Sequence, residues 1–286
     1  MNVSQHNISV STVAYDGYPI DDALRQIAAI GLPLVEPAYI KGYMDFDETD
    51  FEDAAIRLMR SRLARHGLKC IAISAHMDSG NPDATAMLAR RMRFTAGIGA
   101  RYTITNSTTH DRRNQLERAL LANLPLAERL GVTIALENPG NGPENLMPDG
   151  KRGAKLVRSF NSPWLKLNYD TANALTCTEG GTRPETDIAH ALQEACHMHL
   201  KDVVREDGRW KYVAIGAGEL DYNQLLATLK TRADIPFTLE LPLRLKRSFH
   251  KNPERNPVIP SLNEINAAVR TSWNTCANLL DGVKSL

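Results

Sequence analysis

Four short runs of this chain each carry a side chain able to hold a metal ion: Glu137 in "VTIALENP", Asp170 in "LKLNYD", His199 in "CHMHLKD" and Glu240 in "PFTLELP". Each run alternates. Thr133, Ala135 and Glu137 stand against Val132, Ile134 and Leu136; Asn168 and Asp170 against Leu167 and Tyr169; His197 and His199 against Cys196, Met198 and Leu200; Thr238 and Glu240 against Phe237, Leu239 and Leu241. Alternate side chains of a strand share a face, so the polar sets face one interior and the apolar sets face a covering layer. Three carboxylates converging there would repel and raise one another's pKa unless a cation lay between them. One imidazole with three carboxylates suits a single divalent ion, Mn²⁺, Mg²⁺, Co²⁺, Fe²⁺ or Zn²⁺, and composition does not choose among them. Any one of the four alone reads equally well as a buried polar residue paired with a helix end or an arginine. Their matching places at four strand ends point to a metal.

The elements that must position them form a regular series. Strand-like runs are "ISVSTVAY", "LPLVEPAY", "KCIAISAHM", "RYTITNS", then the four above, separated by longer amphipathic segments. Alternation of this kind predicts βα units and a parallel sheet, and eight runs in 286 residues predict an α/β fold, a single (β/α)8 TIM barrel over residues 1–286 with a C-terminal helix. "IGLPLVE", "HGLKCIA", "IGARYTI" and "LGVTIAL" repeat one grammar of helix end, Gly and strand. Pro125 inside "RRNQLERALLANLPLAERLG" predicts a kink or break there. The less regular segments follow strands five to eight, at the face where barrels build active sites.

Bulk properties narrow the partners. A net charge of +1 gives no field to recruit nucleic acid or an anionic membrane, and no apolar run approaches the length of a membrane span. The four cysteines are far apart and form no CxxC pair, which predicts reduced thiols in a cytoplasmic protein.

These residues resemble the sugar isomerase and epimerase-like barrels related to xylose isomerase, especially the ketose 3-epimerases of the D-tagatose 3-epimerase type. The resemblance covers nearly the whole chain and rests on Glu137 in "ALENPG", Asp170 in "NYDTAN", His199 and Asp202 in "HLKD", Arg205 in "VVRED", "IGAGELDY", and Glu240 in "TLELP". It implies one divalent metal held by Glu137, Asp170, His199 and Glu240, a small keto sugar as substrate, and Glu137 and Glu240 as the catalytic acid/base pair. Metal polarisation of a carbonyl acidifies the neighbouring C–H; one carboxylate then removes the proton and the other returns it through an enediolate. It also implies Arg205 as a substrate-oxygen arginine, Glu36 as a substrate anchor and a homo-oligomer. The family often carries histidine where this chain has Asn173, an amide that can bind a substrate oxygen but cannot act as acid or base near neutral pH. That departure keeps open a lyase of the same family, such as an inosose or dehydroshikimate dehydratase or a C-glycoside deglycosidase subunit acting on 3-oxo-glycosides. A non-catalytic sugar-binding barrel or a partner-dependent subunit is a further alternative. The layout also resembles apurinic endonuclease IV, but its additional histidines for three zinc ions are missing.

Secondary candidates follow from the same alternation. His76 faces inward with Ser74 and is expected either to meet substrate or to bond a carbonyl in the core. Lys201 and Asp202 are expected to orient the site. His197 lies about 6 to 7 Å deeper than His199 and is expected to be a hydrogen-bonded core residue. Trp210 and Tyr212 are expected either to pack beneath the site or to form a wall of it.

Overall fold

The computed structural model describes residues 7–138, 144–248, 253–280 and 285–286. The strand series forms as expected, with every pairing parallel. The first strand, Ile8–Ser11, pairs with Leu34–Glu36 on one side and with the eighth, Phe237–Leu239, on the other. Pro37 and Ile71 interrupt the second and third strands, giving Leu34–Glu36 with Ala38–Tyr39, and Lys69–Cys70 with Ala72–Ala75. The first halves pair with each other and so do the second halves, so the interruptions do not open the ring. Tyr102–Asn106, Thr133–Glu137, Leu165–Asp170 and Ala195–Leu200 continue it to the eighth strand. The fold is a closed (β/α)8 barrel.

The helix-to-strand glycines Gly31, Gly67, Gly99 and Gly131 all have positive φ, the conformation that lets each helix end and the chain re-enter the sheet. Two expectations are corrected. Pro125 does not end its helix: Arg113–Leu130 runs through it, with Leu116, Leu120 and Ala127 fully buried, so packing outweighs the missing N–H. The first strand stops at Ser11, whose hydroxyl accepts from Val13 N and turns the chain into a 3-10 helix over Thr12–Tyr15. The C-terminal helix Leu262–Leu279 opens on a reciprocal Ser261/Glu264 cap and buries Ile265, Val269, Trp273 and Cys276.

The larger difference lies at the barrel mouth. The segments after strands seven and eight, read as irregular, form a four-stranded antiparallel sheet of Asp202–Glu206, Arg209–Val213, Leu245–Ser248 and Glu254–Arg255. Trp210 and Tyr212 are buried while Arg209 and Lys211 are exposed, the period-two pattern of a sheet covered on one face. Residues 139–143, where the fifth-strand run was expected to end at Pro139, and 249–252 in "LRLKRSFHKNPERNP" lie outside the described residues.

Inside the barrel, Ala72, Ile104 and Ala135 form a small apolar cluster. They share strand faces with Ser74, Asn106 and Glu137, two residues nearer the mouth. The interior therefore passes from an apolar floor to a polar upper layer.

Candidate metal centre

Glu137, Asp170, His199 and Glu240 meet in that upper layer, each at most 2% exposed, with one ligand atom apiece within 4.8 Å of the others. Strand register brings them together: Asp170 is level with His199, Thr238 with His199, and Glu137 with Asn168. His199 Nδ1 lies 2.8 Å from Glu240 Oε2, 2.9 Å from Glu137 Oε2 and 3.8 Å from Asp170 Oδ2. Its Nε2 is 3.0 Å from Glu36 Oε1, and this bond turns Nδ1 toward the carboxylates. Asp170 caps the short helix Thr171–Cys177 through Oδ1, accepting from Asn173 N, which leaves Oδ2 for the cluster.

Lys201 belongs to the same cluster, its Nζ 2.6 Å from Asp170 Oδ2 and 2.7 Å from Glu240 Oε2. Neither oxygen has an aligned hydrogen-bond partner, so these contacts are charge pairs only. Burial opposes the charge on Glu240, but His199 and Lys201 overcome it and hold its carboxyl down at about 2. Glu137 is likewise held well below the usual range against burial by His199 and His76. Asp170 goes the other way: burial, joined by the charges of Glu137 and Glu240, pushes it up to about 7 against the pull of Lys201. His199 is raised well above the ordinary histidine range, its burial outweighed by Glu240, Glu36 and Glu137.

The donor set fits a divalent ion. Four buried carboxylates, counting Glu36, face Lys201 and one imidazole, and two of their oxygens stay without a hydrogen bond. A cation against these oxygens answers the charge excess. The oxygen-rich, single-imidazole set matches the hard or borderline divalent ions.

The remaining expected site residues fall into different places. His76 lines the cavity above the cluster, with Nε2 3.3 Å from Glu137 Oε2 but not aligned for a hydrogen bond. Asn173 also lines the cavity, and its Nδ2 donates to Glu137 Oε1 at 2.9 Å and to Asn138 O at 3.1 Å. Its amide nitrogen thus positions Glu137. Glu36 lies beneath the cavity rather than in its lining: fully buried, it takes hydrogen bonds from Ser74 and Thr238 as well as contacting His199. His197, fully buried, bonds Asn168 Oδ1 at 2.7 Å and Thr238 Oγ1 at 3.1 Å, and burial lowers it to about 4.

Arg205 lies away from the cluster. Its guanidinium lies 4.6 Å over the Trp210 ring and 3.6 Å from Glu219, half exposed, and it does not line the cavity. Stacking on an indole and pairing with a carboxylate hold it at the edge of the mouth sheet. Asp202 does not touch His199. Its carboxylate accepts from the backbone N–H of Val203, Gly216, Gly218 and Leu220, and a Cβ on Gly218 would collide with it. The glycines of "IGAGELD" thus shape a loop around Asp202.

The cavity above the cluster, about 360 Å³, is lined by Glu137, Glu240, Lys201, His76, Asn106 and Asn173 below, and by Tyr43, Tyr212 and Arg247 above. Lys201, expected to orient the site, lines it directly, and Arg247 is a part that the sequence did not point to. Lys201 continues the inward series of His197 and His199 by parity, a usable signal. Arg247 had none, because its place depends on the mouth sheet.

A parallel barrel with a buried carboxylate and imidazole cluster at its C-terminal end defines a class of enzyme-like folds. Within it, the chain belongs to the xylose isomerase-like TIM barrel family, whose sequence profile matches residues 24–259. No curated protein matches it. Among solved structures it is similar to D-psicose 3-epimerase in the presence of D-fructose, at TM-score 0.68 and 14% identity over 96% of this chain and 99% of that one. It is also similar to the IOLI protein with a bound zinc atom, at TM-score 0.67 and 16% identity over 98% and 100% of the two chains. The probable 3-DHS dehydratase AsbF from Bacillus anthracis matches at TM-score 0.66 and 15% identity over 92% and 97%.

Proposed function

We propose that the protein is a metal-dependent carbohydrate isomerase or epimerase that abstracts a proton next to the carbonyl of a keto sugar. The observation that carries this reading is the buried cluster of Glu137, Asp170, His199 and Glu240 opening onto a cavity of about 360 Å³. Those four side chains would hold the ion, Mn²⁺ first. When bound, it would polarise the substrate carbonyl and lower the barrier to removing the adjacent proton.

The protein residues divide the remaining work. Both catalytic carboxylates are held low and are therefore ionised near neutral pH, as a proton acceptor must be. Glu240 Oε2 meets Lys201 Nζ and His199 Nδ1 as charge pairs at 2.7 and 2.8 Å, whereas Glu137 is hydrogen-bonded by the amides of Asn168 and Asn173. Glu240 accepts the proton and Glu137 serves the opposite face of the enediolate. Glu36 fixes the ring of His199, Lys201 pairs with Asp170 and Glu240, and His76 and Asn173 face the substrate from the cavity lining.

Asn173 favours a second reading. With its nitrogen committed to Glu137 and no titratable group at that place, the same proton abstraction can end in loss of a β-substituent, as in a lyase. No helix among the described residues is long and apolar enough to cross a membrane. A cytoplasmic location and a homo-oligomer are part of the proposed reading.

NMR in D₂O with Mn²⁺-loaded protein and a panel of ketoses, inososes and 3-keto glycosides tests both readings. Deuterium uptake with an inverted or shifted stereocentre is expected; uptake with loss of a substituent identifies the lyase. A protein that retains no divalent metal, or no exchange with any member, overturns the proposal.

A further inference from the structure

Arg247 is 4% exposed and lines the cavity from the mouth strand Leu245–Ser248, across from Trp210. Its Nη1 makes one long contact, 3.4 Å to Thr176 Oγ1, and its buried Nε has no hydrogen-bond partner. Among the described residues no carboxylate forms an ion pair with it. The other cations around the cavity differ: Lys201 is committed to Asp170 and Glu240, and Lys41 lies exposed at the rim.

A guanidinium does not deprotonate in a protein, so it cannot escape burial by neutralising as a lysine can. A buried, unpaired charge is expensive, and a fork of parallel N–H donors facing a cavity is the arrangement that receives a planar or tetrahedral oxyanion. Resting on the proposed sugar chemistry at the metal cluster, we propose that the substrate carries an anionic oxygen group, a carboxylate or a phosphate. Arg247 binds this group on the mouth-sheet side of the cavity, with Lys41 at the rim. The substrate is then an acidic or phosphorylated keto sugar or cyclic polyol, and Arg247 determines that specificity.

Equilibrium binding tests this without turnover. Calorimetric titration of the Mn²⁺-loaded protein with 5-keto-D-gluconate, D-fructose 6-phosphate and neutral D-fructose is expected to show at least one anion binding about tenfold or more tighter than D-fructose. Which anion gains separates carboxylate from phosphate. In Arg247→Gln the preference is expected to vanish, with the melting temperature reporting that the fold is kept. Should that variant fail to fold, Arg247→Lys carries the test: it keeps the charge without the fork and is expected to lose most of the preference. D-fructose binding as tightly as both anions, or full preference in a folded Arg247 variant, overturns the proposal. Deuterium uptake by the unaltered Mn²⁺-loaded protein separates the two readings: uptake without any anion preference overturns only the role of Arg247, and an anion preference without uptake overturns only the proton abstraction.

Discussion

Two clusters of buried charge can be set side by side. On the barrel flank, Glu48 receives Arg91 through two parallel bonds, 3.0 Å from Nη1 and 2.9 Å from Nη2, and Arg90 Nε at 2.9 Å. Arg91 is fully buried and stacks 4.4 Å over Phe51, within a group of edge-packed rings that includes Tyr39 and Phe94. There both carboxylate oxygens are occupied and solvent reaches Glu48, 35% exposed, so the surplus positive charge is screened. At the barrel mouth the surplus is negative, no carboxylate of the cluster is more than 2% exposed, and Asp170 Oδ2 and Glu240 Oε2 are left without hydrogen bonds. The first arrangement spends both carboxylate oxygens on holding the fold, although Arg91 Nε has no hydrogen-bond partner. The second keeps some unspent, which is where a ligand or a reacting atom gains most.

The largest effect that this contrast predicts is for Glu240→Gln. The variant keeps shape and loses one negative charge, so metal-dependent exchange should fall by about 10²- to 10⁴-fold, the usual weight of a general base. Its melting temperature without added metal should fall, because His199 and Lys201 hold the ionised Glu240 carboxylate below its ordinary value and the amide gives up that attraction. An unchanged exchange rate despite that fall would show that Glu240 serves the fold and not the reaction, and the comparison would fail. Next in size is Glu36→Gln, which leaves all four ligands in place but weakens the bond orienting His199. Metal affinity should drop about 10- to 100-fold, measured by competition with a chelator, and an unchanged affinity would remove Glu36 from the positioning of the ring.

Much of this site was legible because strand period and strand end are both visible in sequence. Glu137, Asp170, His199 and Glu240 could be grouped from alternation alone, and the same alternation set His197 lower, where it now bonds Asn168 and Thr238. Lys201 was equally legible by parity, and it was expected to orient the site. Arg247 was not legible. Its strand pairs with Arg209–Val213, more than thirty residues earlier, and only that pairing turns the side chain over the cavity. The place of Arg205 depends on strand pairing too: Trp210, opposite it in the hairpin, offers a ring face that holds the guanidinium at the sheet edge. Local periodicity determines which way a residue on a covered strand faces; a residue on the mouth sheet depends on partners distant in sequence.

The smallest effect concerns the flank, and its pH dependence sharpens the comparison. Arg91 and Arg90 hold Glu48 below the usual carboxylate value of 4.5, against the opposing pull of burial. A carboxylate whose pKa is lower in the folded than in the unfolded chain stabilises fully above the unfolded value, and that contribution is lost as pH falls through the folded value. Glu48→Gln should therefore cost roughly 1 to 3 kcal/mol at pH 7, the range for leaving a buried donor short of its partner. In urea unfolding, the gap between wild type and variant should stay constant from pH 7 down to about pH 5. Below 4.5 it should narrow, as the wild-type carboxyl takes up the proton that makes it resemble the amide. Metal binding at pH 7 should be the same in both proteins, since Glu48 contacts none of the four clustered ligands. A gap that persists unchanged through pH 3 would mean that Glu48 holds Arg91 by shape and packing alone, and the flank would then not be the charge-satisfied counterpart of the mouth.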